Sequence, residues 1–172
     1  MGDFRVLFSA DQIQTRVSTL AQEIDAAYTP DDVLHLISVL RGGVMFTADL
    51  MRALSHALTL DFVRPESYGT STRSSGTISW HLNSEHVTGR NVIIVEDIID
   101  TGHTLAALQE RLRRQSPATL RTVCLLDKPE RRDRAVRIDF VGFTIPDRFV
   151  VGYGLDLDQR HRELPHIAYL GD

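Results

Sequence analysis

Three carboxylates, Glu96, Asp97 and Asp100, stand close together and are followed without a gap by Thr101, Gly102, His103 and Thr104. Before them, Val92, Ile93, Ile94 and Val95 form a β-branched run with no polar alternation, which suits a parallel-sheet strand buried on both faces. After them, Leu105, Leu108 and Leu112 fall at helical spacing. A buried strand therefore ends in an acidic loop that feeds a helix N-terminus. The first turn of a helix carries unpaired N–H groups and the positive end of the macrodipole, so it makes a small anion site. Gly102 permits a tight backbone there, and Thr101 and Thr104 add hydroxyls. A phosphate fits, yet three carboxylates repel it unless they face something else. Sugar hydroxyls or a divalent cation resolve that conflict, so a ligand combining phosphate, ribose and Mg²⁺ uses every part of the loop. The Gly-rich lead-in and Lys of a Walker A sequence are missing. The plainer alternative is a turn and a capped helix with solvated acids.

Two other places offer chemistry. Of the 19 basic residues only Lys128 is a lysine, and it follows the apolar run Leu120 to Leu126. Ligands of open α/β sheets collect outside the carboxyl ends of the strands, which places Lys128 beside the acidic loop. A lysine in so arginine-rich a chain suggests a need for a compact ammonium in place of a planar fork. Earlier, Arg41, Gly42 and Gly43 follow a strand, and paired glycines let a backbone turn sharply or approach a ligand closely.

The elements that must position these groups follow from periodicity. Ser9 to Tyr28 reads as a helix with Ser9 as N-cap and Ile13, Val17, Leu20, Ala21 and Ile24 on one face. A strand over Val33 to Leu40, a helix over Val44 to Leu58 and a strand over Leu58 to Val63 come next. Pro65 to Ser79 is dense in Ser, Thr and Gly; inside one domain such a stretch reads as a mobile lid. The helix after the acidic loop extends to about Gln115, and Asp139 to Phe143 forms a further strand. His35 reads as a strand histidine, and the run Arg131, Arg132, Arg134 and Arg137, mixed with Glu130 and Asp133, as a solvated loop.

Composition agrees with one α/β domain spanning residues 1–172, with 42% hydrophobic residues and a net charge of −4 that gives no nucleic-acid footprint. The single cysteine, Cys124, lies in an apolar run and excludes an internal disulfide. The N-terminus is not a secretory signal, and no apolar stretch is long enough to span a membrane, so a soluble cytoplasmic protein is expected.

Taken together, LRGG, SYG, VEDIIDTGHT, LLDKP and FVVGYGLDLDQRHRELP resemble the hypoxanthine/guanine phosphoribosyltransferases over about residues 34 to 170. The acidic motif alone indicates only a fold that binds phosphoribosyl pyrophosphate (PRPP); the Lys128 and Phe149 segments select a 6-oxopurine enzyme. The resemblance implies the type I phosphoribosyltransferase fold: a mostly parallel twisted sheet flanked by helices, a lid over about 65–79 and a small purine-binding hood over about 144–170. It also implies a Mg²⁺-dependent transfer of phosphoribosyl from PRPP to hypoxanthine or guanine, giving IMP or GMP and pyrophosphate, in a homodimer or homotetramer.

By the same resemblance, Glu96 and Asp97 hold ribose hydroxyls and, through water, the metal, which Asp156 also contacts through water. Thr101, Gly102, His103 and Thr104 cradle the 5′-phosphate, and Asp100 accepts a proton from the purine ring. Lys128 donates to the purine 6-oxygen, Phe149 stacks on the base and Val150 offers its backbone to the pyrimidine edge. Leu40, Arg41, Gly42 and Arg162 bind pyrophosphate, with Arg41 standing where the family usually has lysine, and Ser67 and Tyr68 belong to the lid. Two rival readings stay open: a regulator that keeps the PRPP fold and senses nucleotides without turnover, and an acidic doubly wound domain without PRPP chemistry.

Overall fold

The protein is described by a computed structural model over residues 4–67, 78–82 and 86–171. Its centre is a six-stranded sheet in the order β4 (Ile78–Leu82), β3 (Ala57–Ser67), β2 (Val33–Val39), β5 (Asn91–Ile99), β6 (Thr119–Asp127) and β7 (Phe140–Thr144). All neighbours are parallel except β3 and β4, which pair antiparallel at one edge. Right-handed crossovers are the usual way to join parallel strands, and here the connecting helices cover both faces.

The two faces account for the uninterrupted apolar runs. On one side Leu34, Leu36, Ile93, Val95, Val123 and Leu125 pack with α1 (Ala10–Asp25) and α2 (Val44–Ala53). On the other, Ile37, Val39, Val92, Ile94 and Cys124 meet Leu105, Leu108 and Leu112 of α3 (His103–Arg113). Successive strand residues point to opposite faces, so a strand buried on both sides must be apolar at every position. Helix α1 starts on a full capping box: the Ser9 hydroxyl accepts from Gln12 N–H, and the Gln12 side chain accepts from Ser9 N–H.

A second, three-stranded sheet in the order β1 (Phe4–Phe8), β9 (Ile167–Leu170), β8 (Val150–Val151) forms the hood. Its β1 strand comes from the N-terminal end of the chain and pairs antiparallel with β9, so a hood drawn over 144–170 alone omits a strand. The sheet's Val150 and Ile167 join the same apolar cluster as Val95 of β5 and Leu126 of β6.

Several boundaries differ from the periodicity. Helix α2 ends at Ala53, not Leu58, because Leu54 turns to an extended conformation, and β3 begins at Ala57. Strand β3 runs on to Ser67 and β4 starts at Ile78, with Pro65 paired to Trp80 and Ser67 to Ile78. Both ends of the stretch read as a lid are therefore strand, and Pro65 is tolerated because it lies past the end of the β2 ladder, whose last pair is Val39 with Val63. Tyr68 lies outside the described residues. His35 is fully enclosed; its Nδ1 sits 2.7 Å from the Thr59 hydroxyl, and its Nε2 is 3.2 Å from Asp61 but off the line of a hydrogen bond.

Phe46 on α2 is among the largest side chains with no exposure, wedged between α1 and the sheet. Phe46→Ala is expected to lower unfolding free energy by about 3–5 kcal/mol, measured by urea denaturation; a loss under about 1 kcal/mol would mean that this face collapses onto the gap.

Candidate active site

At the carboxyl ends of β2, β5 and β6 the hood and the sheet enclose a cavity of about 600 Å³. Glu96 and Asp97 are not in a loop, as the motif suggested, but on the last residues of β5. The strand alternation breaks at this pair: Ile94 and Ile99 pack on the α3 side, Val95 and Ile98 on the opposite side, with the two acids between. Glu96 is enclosed and faces both the cavity and a smaller recess of about 110 Å³, which it shares with Asp100, Thr101, Gly102 and Thr104. The recess sits on the N-terminus of α3, where Gly102 is the N-cap with φ 87°. A side chain there would be strained, and its Cβ would lie 2.6 Å from Arg134 O. A helix start with a glycine cap therefore lies directly after the acids, in the local form the sequence predicted. His103 lies on the exposed side of that turn, 3.7 Å from Asp133, and lines neither cavity.

Asp97 faces the second loop. An added Cβ on Gly42 would come within 1.6 Å of Asp97 Oδ2, and one on Gly154 within 2.1 Å of Gly42 O. The Leu40–Arg41–Gly42 turn, whose Leu40–Arg41 peptide is cis, is therefore sandwiched between β5 and the hood. Above it, Arg41 donates to Gln159 Oε1 at 2.7 Å. Arg162 donates to the same oxygen at 3.2 Å, to Gly154 O at 2.6 Å, and pairs with Asp156 at 2.7 Å. Two guanidinium groups thus converge on one rim of the cavity.

On the β6 side Lys128 is buried, with 6% exposure, and its ammonium lies 3.6 Å from Asp147. Phe149 is 54% exposed although aromatic, and it lines the cavity beside buried Val150. An exposed ring at the mouth of a cavity is a ready stacking surface. Asp100 lines the cavity between Lys128 and the recess, and its Oδ1 accepts from Arg131 Nε at 3.0 Å.

Burial sets the electrostatics. Glu96 is held well above the ordinary carboxylate range by desolvation and then by the charge of Asp97. Burial pushes Asp97 up to about 6, opposed by the N–H groups of Ile98 and of Asp97 itself and by Arg162, and reinforced by Asp156. Two adjacent buried acids, opposed only in part by Arg162, form a place where a cation is favourable. Among the described residues no group of three or more metal-ligating side chains is assembled. That donor set fits Mg²⁺, which keeps waters and shares its shell with substrate oxygens, better than a metal needing a protein cage.

The sequence matches the phosphoribosyl transferase domain over residues 9–158. It is 44% identical to the hypoxanthine-guanine phosphoribosyltransferase of Mycobacterium avium over 98% of this chain and 87% of that protein. The chain belongs to the hypoxanthine-guanine phosphoribosyltransferase family. The hypoxanthine phosphoribosyltransferase of Haemophilus influenzae is 42% identical over 95% of this chain and 93% of its own. A crystal structure of the Bacillus anthracis hypoxanthine-guanine phosphoribosyltransferase superposes with TM-score 0.91 at 39% identity, covering 99% of this chain and 100% of that one. The open α/β architecture with a hood is accordingly the fold of this phosphoribosyltransferase family.

One cavity brings together Leu40, Arg41, Gly42, Glu96, Asp97, Asp100, Thr104, Lys128, Phe149, Val150, Asp156 and Arg162, while Thr101 and Gly102 line the adjoining recess. Ser67 ends β3, and its side chain, like Tyr68, lies outside the described residues. Sequence reasoning missed Arg64 and Gln159, which also line the cavity. Arg64 had a signal in its place near the carboxyl end of β3, whereas Gln159 had none. The arginine run is not simply solvated: Arg132 is largely buried and ion-paired with Asp127, and Asp133 and Arg134 N–H groups both donate to Thr101 O, at 3.0 and 3.1 Å.

The raised Asp97 group gives a pH prediction with a definite sign. The folded protein holds this proton more tightly than the unfolded chain, so its stability is complete below the ordinary value of 3.8, falls as pH rises to about 6, and levels off above. Asp97→Asn should therefore raise the melting temperature of the ligand-free protein by a few degrees near neutral pH and remove the Asp97 share of that decline, leaving the share of the raised Glu96. Melts across this range check it, and an unchanged or lower melting temperature at neutral pH counts against it.

Proposed function

We propose that this protein catalyses the Mg²⁺-dependent transfer of the 5-phosphoribosyl group from PRPP to a 6-oxopurine, hypoxanthine or guanine, releasing pyrophosphate and IMP or GMP, as a purine-salvage step. The observation that carries this is the single cavity in which an exposed aromatic ring and a buried ammonium stand on one side, two carboxylates and a helix N-terminus in the middle, and two guanidinium groups on the other. Base, ribose phosphate and diphosphate each meet a surface of matching chemistry. We also propose a cytoplasmic homodimer or homotetramer as the working form.

The chain's own residues then divide the work. The α3 N-terminus with Thr101, Gly102, His103 and Thr104 receives the 5′-phosphate. Glu96 and Asp97 accept hydrogen bonds from the ribose hydroxyls and, with Asp156, would hold Mg²⁺. Bound Mg²⁺ supplies charge neutralisation for the departing pyrophosphate. The Leu40–Gly42 turn and Arg162 bind that pyrophosphate, Arg162 by its planar fork. Phe149 stacks on the base, the backbone of Val150 reads its pyrimidine edge, and Lys128 donates to the 6-oxygen. Asp100 takes the ring proton as the nitrogen attacks the anomeric carbon, while oriented dipoles stabilise positive charge on the ribose. Ser67 and Tyr68 are assigned to a lid that keeps water from the activated sugar.

The decisive experiment is to follow IMP formation from hypoxanthine and PRPP with Mg²⁺; no product with hypoxanthine, guanine or xanthine would end this reading. Two variants test the roles. Asp100→Asn is expected to lower kcat by about 10²-fold or more, as for loss of a general base, with PRPP KM nearly unchanged; equal turnover takes Asp100 out of the chemistry. Lys128→Arg keeps the charge but puts a larger planar group into a buried site, so kcat/KM for the base should fall by about tenfold or more. Unaltered kinetics with hypoxanthine would refute the need for an ammonium.

A further inference from the structure

Asp100 and Lys128, the two groups assigned to the purine ring, are joined by a chain of alternating charge. Arg131 Nε donates to Asp100 Oδ1 at 3.0 Å, and its terminal NH₂ group lies 3.5 Å from Asp147 Oδ2. The other oxygen of Asp147 lies 3.6 Å from the Lys128 ammonium. Local geometry sets this up. Pro129–Arg131 is a 3-10 turn that starts on Lys128, with Arg131 N–H donating to Lys128 O at 3.1 Å. Side chains three apart in such a turn point the same way, which brings Lys128 and Arg131 to one carboxylate. The turn is tied to the phosphate loop as well: Lys128 N–H donates to Ile99 O at 3.0 Å.

We propose that Arg131, with Asp147, is a positioning residue that aims the Asp100 carboxylate and the Lys128 ammonium at the two edges of the purine. This rests on the reading of the site as a 6-oxopurine phosphoribosyltransferase. Arg131, Asp100 and Asp147 are each between 42% and 48% exposed, so their ion pairs add little to stability. Their effect is on direction. A carboxylate with one oxygen held by a guanidinium presents its other oxygen at a set angle, and proton abstraction depends on that geometry. The Lys128–Asp147 separation exceeds a hydrogen bond, leaving the ammonium near its partner yet able to turn to a carbonyl oxygen of the base.

Kinetics of the full-length Mg²⁺-loaded enzyme with hypoxanthine and PRPP test this. Arg131→Met should lower kcat roughly tenfold, a part of what a general base contributes, while PRPP KM stays within about twofold and the melting temperature is unchanged. Arg131→Lys should recover part of the loss. In an Asp100→Asn background, adding Arg131→Met should change kcat by less than about twofold, because a residue acting through another is non-additive with it. A single-variant kcat within twofold of wild type, or a full further loss in the Asp100→Asn background, overturns the role. If Arg131→Met does not fold, Arg131→Gln and Arg131→Lys carry the same comparison. A wild-type chain that forms no IMP is a different failure, since it removes the reading of the site and this role with it.

Discussion

The site depends on the close approach of the turn after β2 to the hood backbone on one side and to the Asp97 carboxylate on the other. Gly42 lies against the Asp97 carboxylate on one side and against Gly154 on the other, and a Cβ on either glycine would overlap its neighbour. Through this contact the end of β5, the turn after β2 and the hood are set relative to one another. Arg41 and Arg162 meet at Gln159 because the turn and the hood are pressed together there. Gly154 has φ 99°, a conformation open to glycine at little cost, so both backbone shape and space at this contact demand the residue.

The same compactness desolvates the acids. Glu96 and Asp97 sit near the end of a strand whose preceding residues are wholly buried, and burial raises both, with only Arg162 opposing it at Asp97. Such an arrangement costs stability in the free protein. It is the usual trade between a stable fold and a prepared site. A hydrophobic residue at either position would suit the sheet better and leave the cavity without its charge.

The segment after β6 is a second layer under the loop from Asp100 to Thr104. Lys128 N–H holds Ile99 O, Arg131 holds Asp100, Asp133 and Arg134 hold Thr101 O, and Arg134 O closes against Gly102. A loop this supported can present its N–H groups in a fixed direction, which is what anion binding at a helix start requires. The hood is likewise held from two ends of the chain, by β1 pairing with β9.

Much of this was legible in the sequence. The run Val92 to Val95 and the leucines of α3 carry their own periodicity, the acids and Gly102 stand out by type, and Ser9 marks a helix start. Lys128 was placed by the rule that ligands gather at strand ends. Other features were out of reach of local pattern. Strand β1 has its partner at the opposite end of the chain, α2 stops at Ala53 although apolar residues continue, and the acids lie on β5 itself. Arg131 and Arg132 look like neighbours in a solvated basic run, but one grips Asp100 and the other is buried against Asp127. Periodicity reports which face of an element is apolar, so by itself the sequence determined the core strands, the helix starts and the chemical types at the site. Which charged side chains face each other across separate elements depends on how those elements dock. Only the tertiary structure decided that, because the distances between such groups are set by packing and not by their spacing along the chain.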